Sequence, residues 1–103
     1  MRLLVMFDLP VTSAEERKAA TRFRKFLLDD GYYMMQYSVY IRICNGNEAA
    51  QKHLSRLQSK LPGKGAIRAI MITEKQYEAM KILCGKKDPI FDKNAQQQTV
   101  LSF

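Results

Sequence analysis

Hydrophobic positions follow two rhythms along the chain. Leu3 to Phe7 form a short continuous apolar run, closed by Asp8-Leu9-Pro10. Such a run bounded by a turn signal reads as a buried strand, although a buried helix segment would give the same run. Pro10 cannot donate to a ladder and restricts the residue before it, so the strand is expected to stop near Asp8. The period then changes. Ala19, Ala20, Phe23, Phe26 and Leu27 form the stripe of a helix packed on a sheet. Ser13 with Glu16, and Thr12 with Glu15, have capping-box spacing, and Gly31 is the expected stop after Asp29-Asp30.

From Tyr32 to Cys44 the chain is rich in aromatic and β-branched residues and reads as strand. Met35, Tyr37, Val39, Ile41 and Ile43 would share one face, with Gln36, Ser38, Tyr40 and Arg42 on the other. One long strand and two short strands meeting near Gln36-Tyr37-Ser38 both fit. Asn45-Gly46-Asn47 is a turn and cap, and Ala50, Leu54, Leu57 and Leu61 mark a second helix that ends at Pro62-Gly63-Lys64-Gly65. Ala66 to Ile72 reads as another central strand, and Thr73-Glu74-Lys75-Gln76 starts a helical turn running to about Met80. Ile82-Leu83-Cys84 is a brief strand candidate, and Gly85 to Asn94 a polar loop carrying Lys86, Lys87 and Lys93. Gln97 to Phe103 is a last strand candidate; in so small a domain its pairing edge can belong to a second copy.

With the middle strand split, the order is that of an α+β, ferredoxin-like βαββαβ plan: an antiparallel sheet with two helices on one face. Residues 1–81 would form this domain. Residues 82–103 would be an extension whose strand pairs across a homodimer.

The length of 103 residues suits one domain, and a hydrophobic fraction of 47% suits a soluble one. No apolar run has the length of a membrane span, and the N-terminus lacks the layout of a secretory signal, so a cytoplasmic location is expected. The net charge of +7 favours a phosphate-rich partner, although excess lysine also serves solubility. Cys44 and Cys84 are isolated and expected to be buried free thiols. His53 is the sole histidine, which gives little support to a histidine zinc site or a Ser-His-Asp triad.

Two features carry candidate chemistry. Asp8 is either a turn acceptor or an acidic group at the mouth of a central strand, where sites are often built. Lys18, Arg22 and Lys25 stack at i, i+4 and i+7 on the first helix, with Arg17 and Arg24 on a neighbouring line. A solvated face and a phosphate-facing one both fit; like charges so placed repel, which slightly costs the helix. The strand tyrosines suit base stacking or packing. The Gly63-Lys64-Gly65 loop lacks P-loop spacing and reads as a basic turn.

Phe7-Asp8-Leu9-Pro10, Glu15-Glu16-Arg17-Lys18, Arg24-Lys25-Phe26-Leu27, Gly31, Gln36-Tyr37-Ser38-Val39-Tyr40 and Thr73-Glu74-Lys75-Gln76 follow one another in a telling order. In that order and spacing they resemble the CRISPR-associated endoribonuclease family, the small dimeric subunit of the adaptation machinery, and most closely its type II branch. The resemblance covers nearly the whole chain. It implies a ferredoxin-like homodimer, active in spacer acquisition for antiviral defence, that bridges integrase dimers in a heterohexamer-like or heterotetrameric complex and holds protospacer duplex DNA. It further implies magnesium-dependent endonuclease activity on single-stranded RNA or DNA, with one Asp8 from each chain as catalytic metal ligand at the dimer interface. Arg17 and Lys18 match the family's basic positions near nucleic acid. With Arg22, Lys25, Lys64, Lys86 and Lys87 they make up the expected nucleic-acid-binding set. The family's usual Tyr-Asp is Phe7-Asp8 here, and its Arg-Arg pair is Arg17-Lys18, which loses one bidentate fork. The alternative is a ferredoxin-like RNA-binding or small-molecule regulatory module without catalysis. The RNP signature of the former is absent from the strands.

Overall fold

The computed structural model describes residues 1–85. Lys86, Lys87 and the expected strand Gln97–Phe103 lie outside the described residues. The elements are β1 (Arg2–Asp8), α1 (Ala14–Asp29), β2 (Tyr33–Gln36), β3 (Val39–Ile43), α2 (Gly46–Gln58), β4 (Ala66–Ile72) and α3 (Glu74–Glu78). The four strands form one sheet in the order β2-β3-β1-β4, with every neighbouring pair antiparallel. This is the ferredoxin-like plan expected from the sequence.

The middle stretch is two strands. Tyr37 and Ser38 make the turn between β2 and β3, Ser38 at φ 63°. A non-glycine residue in the left-handed region is uncommon, and the strain is offset where surrounding structure fixes it. Here the Ser38 carbonyl accepts a hydrogen bond of 3.1 Å from the Phe7 N–H, tying the turn to β1.

Strand alternation sends the odd residues of β1 to one face and the even ones to the other. Leu3, Val5 and Phe7 face the helices and pack with Phe23 and Leu27 of α1 and Ala50 and Leu57 of α2. Both helices therefore cover the same face. Phe7 meets Phe23 edge to face at 5.2 Å and stacks on Tyr40 at 5.6 Å, which anchors the last turn of β1 to α1. Two of the three sequence-read capping boxes form: Ser13 Oγ accepts from the Glu16 N–H and Thr73 Oγ1 from the Gln76 N–H, while Thr12 bonds Glu16 rather than pairing with Glu15.

Three expectations change. Ala66–Ile72 is an edge strand, not a central one, and Ile70 is half exposed; a uniformly apolar run does not report on which side of the sheet a neighbour lies. Residues 81–85 form no strand. Cys84 is exposed while Cys44 is buried.

Among the described residues the opposite face has only α3 over it, at one end. Leu4, Ile41 and Tyr77 form a second small cluster there, with Tyr33, Met35, Val39 and Ile72 packed around it. Arg2, 6% exposed, holds α3 in place. Its Nε and Nη2 donate to the Glu74 carboxylate at 3.1 Å, its Nη1 donates to Tyr33 Oη at 2.9 Å, and its guanidinium stacks 3.7 Å from the Tyr77 ring centroid. Burial disfavours the Arg2 charge, but Glu74 and the tyrosines more than offset this and raise its pKa. Glu74 is correspondingly lowered, first by the hydrogen bonds from Arg2.

On the helical side, the buried Asp30 carboxylate closes the end of α1. It pairs with Arg56 Nη2 and lies 3.5 Å from His53 Nδ1, both on α2. Its backbone carbonyl accepts 2.7 Å from Arg42 Nε of β3. One residue, through its carboxylate and its carbonyl, thus joins two helices and one strand.

Two outcomes follow from these contacts. A carboxylate with a folded pKa below its unfolded value stabilises the fold above the unfolded value, 4.5 for Glu74, and loses that contribution as pH falls through the folded value. Melting temperature against pH should therefore drop on the acid side for the wild type, and Glu74→Gln should be less stable near neutrality with a shallower acid drop. Asp30→Ala should cost about 1 kcal/mol by urea unfolding, because Arg56, 61% exposed, is rehydrated once its partner is gone. A loss below about 0.5 kcal/mol, the scale of ordinary surface changes, would contradict this account of the junction.

Candidate metal centre and nucleic-acid surface

Asp8 is the last residue of β1 and is exposed. Its position follows from the anchoring of Phe7: once Phe7 is buried toward α1, alternation aims Asp8 at the open face. Asp8 pairs in register with Ala66 of β4, whose small side chain leaves the carboxylate uncovered. Backbone support comes from Gly65 at φ +104°. A Cβ there would stand 2.7 Å from the Asp8 carbonyl oxygen and 2.7 Å from Leu9 Cδ2. Only glycine allows the loop from α2 to lie this close to the end of β1.

Among the described residues no group of three His, Cys, Asp or Glu side chains is placed to hold a metal ion. Magnesium needs six oxygens. One copy brings a single carboxylate to this site, so one copy does not by itself make a magnesium site; two copies meeting there would bring two. Neither neighbouring glutamate helps. Glu16 Oε1 accepts from the Thr12 and Ser13 N–H groups at 3.0 Å each and from Thr12 Oγ1 at 2.7 Å. These bonds, the Thr12 hydroxyl foremost, hold its pKa below the ordinary value. It is a capping group, and Glu15 sits beside it in the first turn of α1.

The basic residues lie on the other side of the molecule. Ala20, Phe23 and Leu27 bury one side of α1, and helical geometry puts Lys18, Arg22 and Lys25 on the opposite side, away from the sheet. A helix layer and the sheet therefore stand between this row and Asp8. The row is not uniform. Lys25 pairs with Asp29 at 3.1 Å, and Arg17 Nη1 donates to the Val11 and Thr12 carbonyls at 3.3 and 3.4 Å. Lys64 lies 3.7 Å from Glu16 Oε2 across a cleft of about 250 Å³ between the α1 start and the Pro62–Lys64 loop. Lys18 and Arg22 are exposed and make no ion pair among the described residues.

Tyr37, one of the tyrosines read from sequence as a stacking or packing residue, is 84% exposed at the hairpin turn on the same end of the sheet. Arg68 of β4, exposed on the same face as Asp8, was not singled out from sequence, since its placement depends on strand register.

The family model described as CRISPR associated protein Cas2 matches residues 1–80. A CRISPR-associated endoribonuclease Cas2 from Acidovorax ebreus is 58% identical over 85 residues, which is 82% of this chain and 83% of that protein. One of the same name from Ligilactobacillus salivarius is 44% identical over 101 residues, covering 98% of this chain and all of the relative. The crystal structure of Streptococcus pyogenes Cas2 at pH 6.5 superposes with a TM-score of 0.60 at 21% identity, covering 82% of this chain and 100% of that one, and it supports the fold. The chain belongs to the Cas2 family.

Gly65→Ala tests the support under Asp8. The strained φ and the backbone clash should together cost about 1–3 kcal/mol in chemical unfolding. An unchanged midpoint would show that the loop does not bear on the end of β1.

Proposed function

We propose that this basic Cas2-family chain works as a homodimeric adaptor in CRISPR spacer acquisition, holding protospacer duplex DNA and bridging integrase dimers. The observation that carries the reading is the separation of its two functional surfaces. The outward row of α1, with Lys18 and Arg22 unpaired, suits phosphate contact that is blind to sequence and steeply salt-dependent. The open sheet face suits a second copy: Met6, Ile43 and Ile70, spread along the face that also carries Asp8, are each more than 40% exposed. The extension 82–103, with its expected exchanged strand, and Lys86 and Lys87 belong to the same proposal. Arg17, Lys25 and Lys64 are secondary contacts, since each already has a partner within the chain.

Endonuclease activity on RNA or DNA is the second part of the reading, supported by the relatives' name, endoribonuclease. Asp8 from each copy would hold a magnesium ion, with water and substrate phosphate completing its shell. Bound there, the ion would supply an activated water and stabilise the leaving oxygen. Among the described residues Asp8 has no second acid beside it to act as general base, and within one copy the basic row is on the far side of the sheet. Both points favour holding over cutting as the main task.

Integration of short duplex DNA into a repeat array, with the cognate integrase, separates the two. Asp8→Ala should abolish metal-dependent cleavage and, at protein concentrations where the variant is still dimeric, leave integration intact. Loss of both in a variant that still dimerises would overturn the adaptor reading. Lys18→Ala with Arg22→Ala should weaken DNA binding alike for all sequences and lower the salt slope by about 2. A sequence-dependent loss would argue against phosphate contact.

A further inference from the structure

We propose that Arg68 is the residue that compensates Asp8 when two copies meet, Asp8 of one copy lying against Arg68 of the other and the reverse. This rests on the homodimer reading above.

Met6 pairs with Arg68 and Asp8 with Ala66, so Arg68 is the diagonal neighbour of Asp8 across β1 and β4 on the open face. Three charges stand on the strands of that face. Arg2 is taken up by Glu74 and the two tyrosines. Asp8 and Arg68 have no ion pair or hydrogen bond among the described residues, not even with each other. Their surroundings are apolar: Met6 is 42% exposed and Ile70 52% exposed on either side of Arg68.

A two-fold interface is self-complementary, so a residue that meets a second one in the partner is met by it in return. A face with one acid and one base side by side satisfies this rule in a single arrangement. Pairing acid with acid and base with base repels twice; pairing each acid with the opposite base attracts twice. Burial makes the choice decisive, because a guanidinium or a carboxylate taken out of water without a partner is strongly unfavourable. Arginine suits the role, since its planar fork matches both oxygens of a carboxylate. Arg68 would then do without metal what a divalent cation does for the two carboxylates, and the two would compete for Asp8.

Sedimentation equilibrium of the full chain, in low salt with a chelator, reads this directly. Asp8→Arg and Arg68→Asp should each weaken the dimer about tenfold to a hundredfold, and the double variant should return to within about threefold of wild type. Arg68→Gln, which removes charge without adding repulsion, should weaken it as well. Circular dichroism of each variant keeps folding defects apart from lost association. A wild-type dimer with a double variant no tighter than either single one overturns the pairing and leaves the dimer standing. A monomeric wild type removes both.

Discussion

The arrangement of this molecule depends on one buried guanidinium. Arg2 sits at the start of the central strand, where an uncompensated charge would be costly, and it is met by a carboxylate, a phenol hydroxyl and an aromatic face. Those partners come from β2, α3 and the residue that opens α3. The charge therefore acts as a bracket, and α3 is fixed over one end of the sheet face that α1 and α2 do not cover. Among the described residues the other end of that face, which carries Asp8, has no element over it. Without the bracket a helix of five residues would have little reason to stay folded, since so short a helix is marginal by itself.

Much of this was legible in the sequence. The first strand and its stop rest on a continuous apolar run and a proline, signals that act locally. The capping boxes are read from four consecutive residues; of the two overlapping ones before α1 the Ser13–Glu16 box forms, and so does Thr73–Gln76. The hairpin was harder, because its turn uses Tyr37 and Ser38 rather than glycine, and the left-handed Ser38 is held by a bond to Phe7 that no local pattern shows. The edge position of β4 was not legible, since the sheet order depends on which strand the chain returns to. Asp8 could be picked out, but not its separation from Lys18 and Arg22. That separation is a product of alternation on β1 combined with the packing side of α1.

The same separation is what the proposed adaptor role rests on. A protein that cuts nucleic acid needs its phosphate contacts and its acidic group to converge. A protein that holds a duplex for another enzyme needs a broad basic surface and a firm interface elsewhere. In this chain a sheet stands between the two, with cations outward on α1 and the apolar, acid-bearing face on the opposite side.

The placement of β1 at the centre of the sheet also bears on how the chain comes to be folded. It precedes both of its neighbours in the chain, β3 following a helix and a strand, and β4 a second helix. Until those are made its two edges and its apolar side chains have only α1 for cover. Pairing of such sequence-distant strands is slow compared with helix formation. The nascent chain thus passes through a stage in which the strand that will be best protected is the one most open to wrong partners, and the early, well-capped α1 is its first shield.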